Sequence, residues 1–199
     1  MNSKRSTLLT LLASAATSAV AASTTAWEAN RHAQTDSRER YFTNTMFLDH
    51  EGKKVRFYED LIHNKVVVVN MMYTACTSIC PANTASLLQV QKALGDRVGR
   101  DIHFVSLSLL PELDPPAALR AYMQRYGIGP GWTFLTGARA HMEKVRRKLG
   151  FYDTDPDADA DVFRHTGMLS IGNDRIERWC MMPALSATHQ IVRSIEEMA

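Results

Sequence analysis

Four consecutive valines, Val66–Val69, run directly into Asn70-Met71-Met72-Tyr73-Thr74-Ala75-Cys76-Thr77-Ser78-Ile79-Cys80-Pro81. β-Branched apolar residues pointing to both faces mark a central strand in a sheet that is covered on both sides. Pro81 suits the first turn of a helix, and Ala85, Leu87, Leu88, Val90 and Leu94 continue from it at roughly helical spacing. The pattern predicts a strand over 65–72 and a helix over 81–95, with Gly95 as its C-terminal cap. The turn between them carries two thiols four residues apart. Unpaired N–H groups at the start of that helix favour thiolate over thiol. Soft, exposed thiolates gathered at one point do redox chemistry or bind a soft metal. A structural disulfide or an inert pair does not usually sit at a strand-to-helix mouth.

The rest of the chain supplies the frame. Met46–Val55, with Asp49-His50-Glu51-Gly52 inside it, predicts a hairpin, and Phe57–Ile62 a helical turn. Ile102–Leu109 is a second strand. Pro115–Tyr126 is a helix, with Asp114 suited to its N-cap and Gly127 following its end. Trp132–Leu135 is a strand, and Ala138–Leu149 a helix with Met142, Val145 and Leu149 as its core stripe. Its Lys144, Arg146, Arg147 and Lys148 read as a solvated face. Phe163–Ile171 and Arg175–Met181 predict a closing hairpin turned at Gly172-Asn173-Asp174, and Thr188–Met198 a final helix. Strands linked through helices pair in parallel, while the closing hairpin is antiparallel. The expectation is an α/β three-layer sandwich with a mixed sheet, its site at the carboxyl end of the first long strand.

The N-terminus is different in kind. Lys4-Arg5 precede an apolar run from Leu8 to Val20, and Ala19-Val20-Ala21 offers a cleavage site. Residues 1–21 therefore read as a secretory signal peptide, with an uncleaved anchor as the alternative. Residues 22–42 are a polar extension, and 43–199 the domain. Removing 1–21 takes away two cations and no acid, so the whole-chain charge of +2 falls to about zero. That argues against a nucleic-acid surface. Three cysteines in an exported protein leave one unpaired. Cys76 and Cys80 are the couple and Cys180 the remainder.

Two thiolates are an incomplete metal site. Of the seven histidines, His32 lies in the polar extension and His50 in a turn. His63 and His103 sit at the wrong ends of their strands, and His141 and His189 lie on helices. His165 follows a long loop beside the apolar strand Met168-Leu169-Ser170-Ile171, a position from which a loop reaches the carboxyl edge of a sheet. It ranks first as third ligand, while surface or core packing remains the ordinary role of a lone histidine.

The cysteine motif with its following proline and preceding valine strand resembles the Sco/SenC family of copper proteins. Gly52–Leu61, Pro111-Glu112-Leu113-Asp114 leading to Leu119 and Tyr122, and Trp132-Thr133-Phe134-Leu135-Thr136-Gly137 are similar to further family segments. His165-Thr166 fits the family's single ligand histidine. The resemblance spans about residues 43–198. It implies a thioredoxin-like fold with an N-terminal hairpin, copper as cofactor, and Cys76, Cys80 and His165 as metal ligands. It also implies delivery of copper to the dinuclear copper site in subunit II of cytochrome c oxidase, and a place in or facing the periplasm. The implied role is a metallochaperone rather than an enzyme. The alternative is a thiol–disulfide oxidoreductase whose redox pair is Cys76 and Cys80. Cu(I) accepts thiolates plus imidazole in low coordination, and ligation and disulfide formation exclude each other.

Two positions depart from the family's pattern. Leu110 and Arg164 stand where aspartate is usual. Arg164 beside a Cu(I)-dithiolate would balance its negative charge. Peroxiredoxins carry threonine three residues before the reactive cysteine and proline seven before; here these are Tyr73 and Val69. Thioredoxins use CxxC and a proline facing the pair, and residues 162–166 hold no proline. The alternating acids of Asp153–Asp161 lack the glycine and glutamate of a calcium loop and read as a solvated loop. Trp179-Cys180-Met181-Met182, Met71, Met72 and Met168 read as packing.

Overall fold

The structure, a computed structural model, describes residues 37–161 and 167–199. The chain divides into two compact units, Met1–Tyr41 and Phe42–Ala199. Of the first, residues 37–41 are described, and they are helical. The signal segment, the polar extension up to residue 36, Arg164 and His165 lie outside the described residues. No helix among the described residues is long and apolar enough to cross a membrane.

The second unit is built on one mixed sheet. Its strands are β1 (Met46–Asp49), β2 (Lys54–Arg56), β3 (Val66–Met72), β4 (Ile102–Ser108), β5 (Trp132–Thr136), β6 (Met168–Asn173) and β7 (Arg178–Pro183). Their spatial order is β2-β1-β5-β4-β3-β6-β7. β3 pairs in parallel with β4, and β4 with β5; β6 lies antiparallel to β3 on its other side. The terminal hairpins complete the sheet: β1 and β2 extend it beyond β5, and β7 beyond β6. All seven residues of β3 are buried, as the valine run requires.

Helices α1 (Ile79–Leu94), α2 (Pro116–Tyr126), α3 (Arg139–Lys148), α4 (Pro156–Ala160) and α5 (Thr188–Glu196) flank the sheet. Because side chains alternate along a strand, β3 feeds two cores. Val66, Val68 and Met72 pack with Leu87 and Leu94 of α1, Leu119 and Tyr122 of α2, and Ile191 and Ile195 of α5. Val67, Val69 and Met71 pack with Met142 and Val145 of α3 and with Phe57, Tyr58 and Ile62 of a π-helical turn. Phe42 closes this second core, its ring 4.8 Å from that of Trp179.

Several expectations shift. On α1 the buried face is Cys80, Asn83, Thr84, Leu87, Val90 and Leu94, whereas Ala85 points outward. The inner face of the first turn is thus polar. The closing hairpin does not turn at Gly172-Asn173. Both residues stay in β6, and the turn is the 3-10 segment Asp174–Ile176. Gly172 is needed for packing, since a Cβ there would stand 2.2 Å from Cε3 of Trp179.

The acidic run is exposed from Asp153 to Asp157, as expected, but it forms the short helix α4 rather than a loop throughout, and Asp159 is anchored. Asp159 is held by Arg146 at 2.7 and 2.8 Å and also by Arg147. Asp155 caps α4 by accepting from the amide of Asp157. Arg146, expected in solvent, has a side chain only 11% exposed and also pairs with Glu143. Opposite charges in sequence neighbourhoods that looked solvated have found each other across the fold.

Candidate metal centre

β3 ends at Met72, and Tyr73–Ser78 crosses from the carboxyl edge of the sheet to α1. Cys76 lies in that crossing and Cys80 in the first turn of the helix. All three cysteines of the chain are thiols. The amide of Cys80 donates to Sγ of Cys76 at 3.4 Å, and the Cys76 amide donates to the Tyr73 carbonyl at 3.2 Å. A helix-start N–H therefore does reach the first sulfur.

The thiols are not exposed as the motif alone suggested. Cys76 is 6% accessible and Cys80 1%. Burial pushes the Cys76 thiol up, but donors outweigh it. The Cys80 thiol and amide, the Tyr73 hydroxyl and the Ser78 amide all bond its sulfur and hold it below the ordinary cysteine value. Cys80 goes the other way. Burial comes first, then its bond to Cys76, and both keep its proton on. Tyr73 is pushed up to about 12 by burial and by its bond to Cys76, so it remains a donor. The pair is asymmetric, with one sulfur prepared as an anion and its neighbour as a proton donor.

A buried carboxylate braces the crossing. Asp114, fully buried, accepts from the amide of Thr74 at 3.2 Å, from the Thr74 hydroxyl, and from the Ser108 hydroxyl at the end of β4. It does not cap α2, whose N-cap residue is Pro115 with Pro116 at the first helical position. Proline prepays that turn's geometry and leaves the aspartate for the site. The sequence signal for this clasp was slight: a hydroxyl residue at the end of one strand, another just beyond the end of its neighbour, and an acid before a proline pair. Leu110, where an aspartate was noted as usual, packs partly buried against the first core.

Cys180 lies across the sheet from the pair. In β7 it is in register with Ile171, which is in register with Val68. Val68 is four residues short of the end of β3, so Cys180 is about 13 Å lower along the strands than Met72. A disulfide needs Cα atoms within about 7 Å, so this register keeps Cys180 from bridging to either motif cysteine. Burial raises its thiol, first among the causes.

Among the described residues, no three of histidine, cysteine, aspartate and glutamate cluster as a metal site. His50 and His63 sit elsewhere: Phe134 donates its amide to His50, and His63 contacts the side chain of Asn64. What the structure does describe is Gly167, two residues beyond His165. Its φ is +61°, and a Cβ there would stand 2.6 Å from Cδ1 of Ile79 and 3.3 Å from Nδ2 of Asn83. Only glycine fits this approach to the turn that bears Cys80. Its carbonyl accepts from the amide of Ala184 at 2.9 Å.

A sequence profile described as SCO1/SenC matches residues 29–199. The chain belongs to the SCO1/SenC family. A relative, the SCO1 protein homolog of Bacillus subtilis (strain 168), is 27% identical over 131 residues. That alignment covers 64% of this chain and 66% of the relative, just under two thirds of its length. Among solved structures, Bradyrhizobium japonicum ScoI with copper bound superposes with a TM-score of 0.62 at 22% identity, covering 77% of this chain and 96% of that one. A structure of BsSco, described as a member of the Sco family of cytochrome c oxidase assembly proteins and as having a disulfide switch, gives a TM-score of 0.62 at 22% identity over 77% and 90%. The SCO1/SenC fold here is the expected thioredoxin-like α/β sandwich with added hairpins.

Proposed function

We propose that this SCO1/SenC protein is a copper chaperone. Cys76, Cys80 and His165 would hold the metal, and the recipient would be the dinuclear copper site in subunit II of cytochrome c oxidase. The observation that carries the reading is the pair itself: two sulfurs in hydrogen-bond contact at the carboxyl end of the central strand. Thiolates are soft donors that favour Cu(I). A dithiol already prepared to lose one proton suits them, because ligation requires deprotonation. The copper-bound ScoI relative supports the same cargo. His165 is supported by Gly167, whose packing brings the chain beside Ile79 and Asn83 two residues later. The signal-like segment 1–21 supports an exported site of action.

Anaerobic titration of the reduced mature protein with Cu(I) against a competing chelator tests this reading. One Cu(I) per chain is expected, with tight binding lost in Cys76→Ser and Cys80→Ser and strongly weakened in His165→Ala. Wild-type affinity in either cysteine variant overturns the copper site.

A second reading, thiol–disulfide reduction of a partner, is favoured by the asymmetry of the two thiols. Cys76 would attack a partner disulfide and Cys80 would resolve the mixed disulfide. His165→Ala should lose copper transfer yet keep thiol exchange. At limiting copper, a wild-type oxidase phenotype for that variant, with Cys76→Ser failing, selects the reductase.

A further inference from the structure

β7 is an outer strand of the sheet, paired with β6 alone. The Ala184 amide donates to the Gly167 carbonyl, one step beyond the Met168–Pro183 pair. Bonded and non-bonded pairs alternate along an antiparallel ladder. Arg178, Cys180 and Met182 therefore turn their backbone groups toward β6, and Trp179 and Met181 turn theirs outward. No described residue bonds those outward groups. The two edges of the sheet differ in kind. β2 is short, and the exposed cations Lys54 and Arg56 flank its one buried residue, a pattern that keeps an edge from pairing. β7 is six residues long, and its Trp179-Cys180-Met181-Met182 carries no charge. Met181 is exposed, as are Ile176 and Leu185 just outside the strand's ends.

The outward groups are complementary to themselves. A second copy laid antiparallel on β7, about a two-fold axis at Cys180, sets Trp179 of each copy opposite Met181 of the other. Each such pair exchanges both backbone bonds. Moving the axis to Met181 sets Trp179 against Pro183, which has no N–H. Moving it to Trp179 calls on the amide of Glu177, which already donates to Asp174 from left-handed backbone. In the Cys180 register each indole also meets the partner's thioether, and Arg178 meets Met182, so no charge faces its like. We infer that β7 is a self-association edge, on which two copies of this chain join their sheets about a two-fold axis at Cys180. Cys180 then faces Cys180 across a non-bonded pair, with Cα atoms about 4.5 Å apart, within reach of a disulfide. The odd thiol of the chain gains a partner of its own kind. Because the strands run oppositely across the axis, the two Cys76–Cys80 crossings open at opposite ends of the joined sheet. The inference is independent of the proposed copper function.

Sedimentation equilibrium of the mature protein in reducing buffer reads the association, and a monomer–dimer equilibrium is expected. Met181→Pro removes the outward amide and leaves the β6 ladder whole, because that ladder uses the neighbouring residues. Met181→Lys places a charge on the edge. Each should weaken the dimer about tenfold or more, since the two-fold axis applies the change twice. Urea unfolding of the monomers checks that the variants fold, and if Met181→Pro does not, Met181→Lys decides. The register is read in a Cys76→Ser, Cys80→Ser protein, where Cys180 is the sole thiol. Diamide takes one electron and one proton from each of two Cys180 thiols and leaves one disulfide between copies. Linking is expected in the dimer and should slow about tenfold in Met181→Lys. Wild-type protein that stays monomeric up to about 1 mM overturns the inference, whether or not its edge takes a strand from another protein. A dimer that the Met181 substitutions leave intact, or one whose Cys180 thiols do not link, overturns it as well.

Discussion

The amide of Cys80 donates to the sulfur of Cys76 at 3.4 Å. One residue of the motif thereby prepares the other, and the two thiols should differ in chemistry. Cys76, held below the ordinary cysteine value, is expected to react first with iodoacetamide, and its rate should level off at a lower pH than a free thiol's. Cys80, kept protonated by burial and by Cys76, should be slower by about tenfold or more. Tyr73→Phe removes one donor to Cys76 and should move its alkylation profile to higher pH. Mass spectrometry of partly labelled protein checks the order. Labelling of Cys80 first, or of both at one rate, would contradict the asymmetry.

Asp114 gathers three donors at the base of the cysteine crossing. Removing it strands the Thr74 amide and two hydroxyls in a buried place. Asp114→Ala is expected to destabilise the protein by about 3 kcal/mol, measured by urea unfolding. Asp114→Asn, which keeps the shape and some acceptors, should lose less. Both should also lower the Cys80 titration, since the carboxylate is among the groups that raise it. An unfolding midpoint unchanged in Asp114→Ala would show that Thr74 is not held from this side.

The contrast between β3 and Asp114 explains what the sequence reveals. The valine run, the helix after it and the placing of both thiols follow from local pattern, because apolar burial at a period of two or 3.6 is written in consecutive residues. Asp114 was read as a helix cap, a local role, because Thr74, which gives two of its three donors, is 40 residues away and is brought near only by the sheet. Asn83 and Thr84 were overlooked on α1 for the same reason: polar residues on an inner face break the apolar pattern that locates the face. Ala85 was drawn inward by composition alone. Gly172 looked like a turn because the ring of Trp179 that lies on it comes from the next strand. Asp159 and Arg146 each looked solvated, being apart in sequence and charged.

That last pair makes a stability statement. Asp159 takes two bonds from Arg146 and another from Arg147, and it also accepts from the amide of Asp153. The Arg146 guanidinium, first among the causes, holds the Asp159 carboxyl well below the usual carboxylate range. Asp159→Asn is expected to cost about 2 kcal/mol in urea unfolding, since hydrogen bonds to charged groups are worth more than neutral ones. Arg146→Lys should not restore the pairing, because a single ammonium cannot replace the fork that also reaches Glu143 and the Phe151 carbonyl. A loss no greater than that of an exposed surface pair would show that the acidic segment is not anchored there.

His103 opens β4 at the opposite end of the sheet from the cysteines, in register with Val67. Burial, the largest cause, and the nearby Lys65 ammonium hold its imidazole below the ordinary value of 6.5; the Arg100 backbone and Asp101 oppose them more weakly. The sign follows from linkage. A base with a lowered folded pKa binds its proton more readily when unfolded, so the native state gains stability as pH rises. That contribution is complete above about 6.5, and it is lost as pH falls from there toward the folded value. Wild-type protein should therefore weaken between about pH 7 and pH 5, and His103→Gln should weaken less over the same interval. Urea unfolding of both at several pH values measures the difference, with the metal-free protein used throughout to keep the thiol pair out of the comparison. NMR of the His103 ring should place its midpoint below 6.5. A midpoint above that value, or parallel pH profiles for the two proteins, would remove His103 as the source of the acid sensitivity.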